Sequence, residues 1–198
     1  MSANLVSLWE RVPPNAADEL ARWHSQTCLP ALCALGGVTA VLRYAIPERP
    51  GDFLTWIETG ENTGAADGAW RELGTPVAEY AADVVSLRLM CDVGDRAAAQ
   101  TPWLYIVHTD LPDDIVGEYN EWYDHEHLPR LVTVPGVLRA RRYAAVAGAP
   151  RYLTAYSLTG RDAFESPEGL KARKTPWTAR MRSLFRNTRR SMCRLLSP

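Results

Sequence analysis

The feature that most constrains this 198-residue chain is that it repeats itself. Leu29-Pro30-Ala31-Leu32, Gly37-Val38 and Arg43-Tyr44-Ala45 return as Leu128-Pro129-Arg130-Leu131, Gly136-Val137 and Arg142-Tyr143-Ala144, always 99 positions on (128 − 29, 136 − 37, 143 − 44). The same offset matches Leu5 to Leu104, Glu19 to Glu118, Trp23 to Trp122, and Phe53-Leu54-Thr55 to Tyr152-Leu153-Thr154. Thr75-Pro76 matches Thr175-Pro176 once one residue is inserted. Register held over strands and helices alike is what duplication leaves behind. Residues 1–99 and 100–198 are therefore read as two copies of one unit, joined at Gln100-Thr101-Pro102.

Each copy reads in the same order. Leu104-Tyr105-Ile106-Val107-His108 is a β-rich run. Asp113 or Asp114 can cap a helix that carries Glu118, Tyr119, Trp122 and Tyr123, whose aromatic spacing of three and four suits one buried face. Pro129, and then Pro135-Gly136, are expected to end it. Residues 137–145 and 151–158 read as strands around a turn at Ala147-Gly148-Ala149-Pro150. Helical signals over 161–170 and 176–185 precede a last strand over 188–196. The order is βαββαβ, the ferredoxin-like split unit. Such a unit covers one sheet face with helices and bares the other, and an apolar face must find a partner. The expected fold class is α+β: two ferredoxin-like repeats closing an intramolecular, pseudo-dimeric barrel, with enclosed space between sheets and helices for a small ligand.

Composition narrows the function. With 46% apolar and 23% charged residues the chain is an ordinary globular one. No apolar run reaches the ~20 residues that span a bilayer, and Met1–Pro14 lacks a targeting pattern, so a cytoplasmic protein without a membrane partner is expected. A net charge of −1 argues against nucleic acid. Cys28, Cys33, Cys91 and Cys193 lack paired spacing and read as buried thiols. After Glu168 no acidic residue follows, while Lys171, Arg173, Lys174, Arg180, Arg182, Arg186, Arg189, Arg190 and Arg194 do. That tail reads either as a solvated helix face or as a means of attracting an anionic substrate.

The stretch Glu118-Tyr119-Asn120-Glu121-Trp122-Tyr123-Asp124-His125-Glu126-His127-Leu128-Pro129, followed by Val134-Pro135-Gly136-Val137, resembles the dimeric α+β barrel superfamily, particularly its EthD-like members. The likeness covers most of the second half; the first keeps only the Trp, Leu-Pro and Gly-Val skeleton. It implies a unit that normally pairs between chains, here fused. It also implies a pocket reached by the helix-end histidine, at His127. Members of the superfamily include cofactor-free cyclases, isomerases and monooxygenases as well as haem enzymes, so the likeness does not choose the reaction.

The two copies differ where chemistry would sit. His127 is matched by Cys28, His125 by Gln26 and Glu126 by Thr27, which suggests one working site per chain, in residues 100–198. His127 is the first candidate for a base, and equally a cap for the last helical carbonyls. His125 lies two positions away, so on an ideal helix only one of the two faces inward. An unwound His125-Glu126-His127 could clamp a metal only with a distant third ligand such as His108 or His24, and no metal is expected. His108 shares a strand face with Leu104 and Ile106 and is either a satisfied core residue or a partner acid. Arg139, Arg141 and Tyr143 share one face of the next strand; Tyr152, Thr154 and Tyr156 share one of the strand after it. These either hold an enolate or form cross-strand pairs.

The expectation is an isomerase, cyclase or lyase, without a cofactor, that moves a proton on an oxygenated aromatic or polyketide-like molecule. His127 would act as base, His108 as acid, and Tyr143 with Arg141 would hold the enolate. Asp124, His125, Glu126 and Tyr156 would contact substrate. The alternatives are a haem-dependent oxidoreductase and a non-catalytic small-molecule-binding protein. A further homodimer is compatible with the barrel but not required by it.

Overall fold

The computed structural model describes residues 4–60, 69, 72, 73, 81–98, 100–146, 148 and 150–196. The Thr75-Pro76 match of the repeat, and Ala147 and Ala149 of the expected turn, lie outside the described residues.

The first copy runs β1 (Asn4–Arg11), a 3₁₀ turn, α1 (Ala17–Trp23), a π-helical turn (His24–Cys28), α2 (Leu29–Cys33), β2 (Val38–Ala45), β3 (Asp52–Thr59) and β4 (Ala81–Gly94). The second runs β5 (Trp103–Asp110), a 3₁₀ turn (Asp113–Ile115), α3 (Val116–Trp122), a π-helical turn (Tyr123–His127), α4 (Leu128–Leu131), β6 (Val137–Ala145) and β7 (Tyr152–Leu158). It closes with a 3₁₀ turn (Ala163–Glu165), α5 (Pro167–Ala172), α6 (Pro176–Leu184) and β8 (Arg186–Leu195). Hydrogen bonding links the strands in the order β1-β3-β2-β8-β5-β7-β6-β4 as a closed barrel. This is the α+β, tandem ferredoxin-like architecture that the repeat implies, and closure leaves none of the eight described strands at an edge.

Two compact units are present: Met1–Leu89 with Ala145–Ala147 and Cys193–Pro198, and Met90–Ala144 with Gly148–Met192. In the first, β3 pairs antiparallel with β1 and β2. In the second, β7 pairs antiparallel with β5 and β6. Both copies carry the same irregularity near the start of their second strand, at Val38/Ala40 and at Val137/Arg139.

Three details depart from the sequence reading. Pro129 does not end the helix. A proline lacks an N–H and clashes with the carbonyl four residues back, and the chain meets this with a π turn over Tyr123–His127 that lets Pro129 enter the first turn of a new helical segment. The first copy does the same at His24–Cys28 ahead of Pro30. Neither Asp113 nor Asp114 caps α3; both lie in the 3₁₀ turn, without a side-chain cap bond. Among the cysteines, all of them free, Cys33 is exposed, whereas Cys28 and Cys193 are buried.

The helix–strand connection is repeated to the atom. Gly37 and Gly136 have φ of +90° and +88°, and their carbonyls accept from Gly60 N (2.8 Å) and Thr159 N (2.9 Å), again 99 apart. A Cβ at Gly136 would meet Thr159 Oγ1 at 3.1 Å and Ala163 Cβ at 3.2 Å; at Gly37 it would meet nothing within 4 Å. Gly37→Ala is expected to lose only the left-handed backbone preference, about 1–2 kcal/mol. Gly136→Ala is expected to lose more, because crowding adds to the same strain. Denaturant unfolding of the two variants side by side checks this ordering.

Candidate functional site

The site builds from the helix-covered face of the second unit. On β5, Tyr105 and Val107 point to one side and Leu104, Ile106 and His108 to the other, by the two-residue alternation of a strand. Register carries each face across the sheet: Tyr105 stands opposite Tyr156, which stands opposite Ala140, and Val107 opposite Thr154, which stands opposite Arg142. α3, its π turn and α6 pack over this face. Arg142, fully buried, stacks its guanidinium on Tyr119, Tyr123 and Tyr152 at 4.6, 4.7 and 5.1 Å and hydrogen-bonds Asn120. It thereby fastens helix to sheet.

Between that face and the helices lies a cavity of about 230 Å³. Its walls are aromatic: Tyr105, Trp122, Tyr123, Tyr156, Phe164 and Phe185. His127 enters it from the π turn, 5% exposed, stacked on Trp122 at 4.1 Å between centroids and 26° between planes. Its Nδ1 is buried without a hydrogen-bond partner among the described residues. Burial foremost, then the charges of Arg182 and Arg173, depress the imidazole pKa to about 3, so the ring is neutral. Tyr156 hydrogen-bonds Tyr123, whose hydroxyl also accepts from Thr154 Oγ1 at 3.1 Å, and burial raises the Tyr156 phenol well above its usual value.

The structure separates the other expected site residues. His125 and Asp124 are exposed on the far side of the turn, as the spacing predicted for one of the two histidines, so no His-Glu-His clamp forms. Among the described residues no three side chains are placed to hold a metal ion. Asp124 lies 3.9 Å from the Arg142 guanidinium. Glu126 does not line this cavity; its carboxylate accepts from Thr175 Oγ1 (2.6 Å) and Thr178 Oγ1 (3.5 Å) at the start of α6, while Trp122 Nε1 donates to Thr178 (3.3 Å). Arg141 and Tyr143 stand opposite Ala155 and Leu153, and His108 opposite Leu153, so all three occupy the reverse face of the sheet from His127. They are buried there, and burial, followed by Arg189, depresses His108 to about 4. A constellation of His127 with His108, Arg141 and Tyr143 is therefore not assembled. Tyr156 alone among the expected partners lines the cavity with His127.

What the sequence reading did not single out is the rim. Arg173, which follows α5, Arg182 on α6 and Arg190 on β8 converge on the cavity. The acid-free tail was the available signal. Arg173 is fixed by bonds from its guanidinium to the carbonyls of Gly169 (3.2 Å) and Phe164.

The first unit shows what the second has opened. Tyr105, Val107, His127, Leu131 and Tyr156 correspond, at the offset of 99, to Val6, Leu8, Cys28, Leu32 and Ile57. Those five form one apolar cluster in which each is 0% exposed. The cavity wall of one copy corresponds to buried apolar core in the other.

Three neutral histidines give this protein an acid-labile fold. His127 and His24 lie at about 3 and His108 at about 4, below the ordinary value of 6.5. As pH falls from 6.5 the unfolded chain takes up protons that the folded one refuses, so stability falls down to the folded values. His127→Gln is expected to flatten that slope by about 1 kcal/mol per pH unit between pH 6 and 4. Urea unfolding of both proteins across this range gives the comparison.

No family model matches the sequence, and no curated protein matches it. Solved structures share its fold from end to end. A candidate monooxygenase from Fusobacterium nucleatum subsp. nucleatum superposes with a TM-score of 0.70 at 10% identity, over 99% of this chain and 94% of that one. A mutant chlorite dismutase from Candidatus Nitrospira defluvii gives 0.69 at 11%, over 99% and 92%. An anthrone oxidase-like protein gives 0.62 at 11%, over 99% and 92%. The chain thus has the fold of the dimeric α+β barrel proteins, with both ferredoxin-like units in one polypeptide.

Proposed function

We propose that this protein is an enzyme that moves a proton on a compact oxygenated aromatic or polyketide-like molecule, with His127 as the base. The observation that carries the reading is a neutral, partnerless imidazole in the wall of an aromatic cavity, beside the phenol of Tyr156. A neutral imidazole accepts a proton from carbon beside a carbonyl; the electron pair moves onto the carbonyl oxygen as an enolate. A hydrogen bond from Tyr156, or the charge of Arg182, meets that oxygen. Return of the proton to a second position completes an isomerisation, or its delivery to a leaving oxygen completes an elimination. The aromatic walls supply flat faces against which a planar ligand can stack.

The structural neighbours favour a second outcome of the same first step. Two are described as a candidate monooxygenase and an anthrone oxidase-like protein. Deprotonation of a CH₂ flanked by aromatic rings gives a carbanion able to react with dioxygen: CH₂ + O₂ → C=O + H₂O, with no external reductant. A cavity of about 230 Å³ favours a compact ligand over haem, since pockets for drug-sized molecules run from ~300 to 1,000 Å³ and a porphyrin is larger still. Protein mixed with haem and then freed of the unbound excess is expected to show no Soret band.

2-Indanone, a two-ring ketone with acidic benzylic methylenes, tests the base in D₂O. The protein should accelerate deuterium entry at those methylenes, read by NMR under nitrogen, and His127→Gln should slow it by about 10²–10⁴-fold with the fold intact. Equal exchange rates would remove His127 from the role. Oxygen uptake when air is admitted separates oxidation from isomerisation; stabilisation by ligand without exchange would favour a binding protein.

A further inference from the structure

We infer that the molecule bound in this cavity is an anion, an aromatic carboxylate of one or two rings, whose charge lies against Arg182 and Arg190 while its ring lies between Trp122 and Tyr156. The inference rests on the cavity assigned above and deepens it by naming the ligand's charge class.

Three separate segments bring guanidinium groups to one opening: Arg173 after α5, Arg182 on α6 and Arg190 on β8. Not one carboxylate lines the same cavity among the described residues. Elsewhere several arginines are matched with acids: Arg139 with Asp92 at 2.8 Å, Arg180 with Glu118 at 2.8 Å, and Arg151 with Asp113 at 2.6 Å. The guanidinium groups of Arg182 and Arg190 have no hydrogen bond or ion pair among the described residues. Burial and the charges of Arg173 and Arg190 lower the proton affinity of Arg182, the mark of cations crowded without a counter-ion. Arg173 is already anchored by two of its five N–H donors to carbonyls, whereas the guanidinium groups of Arg182 and Arg190 are left to take an oxyanion.

Size and shape complete the class. Six aromatic side chains around about 230 Å³ fit a flat ligand of one or two rings. Placing the anion at the rim sets the opposite end of the ring toward His127. It also offsets the positive charges of Arg182 and Arg173, two of the causes that hold His127 below its ordinary pKa, so the bound anion makes the base more basic. A neutral ligand of the same shape lacks that effect.

The test is calorimetric titration of the full chain with salicylate and with salicylamide, its neutral isostere, at low salt. Salicylate is expected to bind at least tenfold more tightly, as charge-assisted hydrogen bonds imply. The double variant Arg182→Gln/Arg190→Gln should lose that preference, while Arg180→Gln, whose arginine pairs with Glu118 away from the cavity, should keep it. Rising salt should erode it. Failure to bind salicylate, equal binding of the two probes, or a preference that survives the double variant would each overturn the proposal. His127→Gln separates this inference from the catalytic one. Retained preference with lost deuterium exchange upholds both, and retained preference with unchanged exchange upholds the anion class while removing His127 as base.

Discussion

A helix that has to pass a proline shapes the candidate site of this protein. Pro129 cannot donate to the turn behind it, and the chain widens that turn into a π segment over Tyr123–His127. The widening fixes four neighbours at once. Trp122 and His127 come to lie stacked in the cavity wall, Glu126 reaches the start of α6, and His125 is left in solvent. Glu126 ties the turn to the helix that carries Arg182, so one carboxylate expected to touch substrate instead holds the element that presents the rim. The first copy makes the same turn before Pro30, which shows that the device belongs to the ancestral unit and not to the site.

Duplication then let the copies diverge under one backbone. Five aliphatic or thiol side chains close the first unit's version of the cavity, and burying them supplies stability of the ordinary hydrophobic kind. Exchanging them for Tyr105, Val107, His127, Leu131 and Tyr156 leaves polar atoms buried, one of them unpartnered, in a space that no side chain fills. An unpaired buried polar atom is destabilising unless something binds there. The second unit tolerates that cost within the same helix–strand connections that the first keeps.

Electrostatics separates the two units further. The first unit has a buried polar set of its own, in which Thr55 donates to Glu10 at 2.8 Å and lies 2.9 Å from His24, with Arg43 3.7 Å from the same carboxylate. Its cation is answered by an acid. At the second unit's cavity the cations are answered by none among the described residues, and this imbalance, not the histidine alone, sets the proposed ligand site apart from the satisfied core of the first.

The amino-acid sequence by itself determined the repeat, the βαββαβ order of the second copy and the position of its strands to within about two residues, because these follow from local pattern and from comparison of the chain with itself. It also grouped the strand residues correctly: His108 with Leu104 and Ile106, Arg141 with Tyr143, Tyr152 with Tyr156. What it could not decide was which group faces the helices, since a period of two is the same viewed from either side of a sheet. Only the register through Tyr105, Tyr156 and Ala140 placed Tyr156 with His127 and sent His108, Arg141 and Tyr143 to the reverse face. The meeting of Arg173, Arg182 and Arg190 was likewise hidden, because they come from three elements whose convergence is set by packing and not by spacing along the chain.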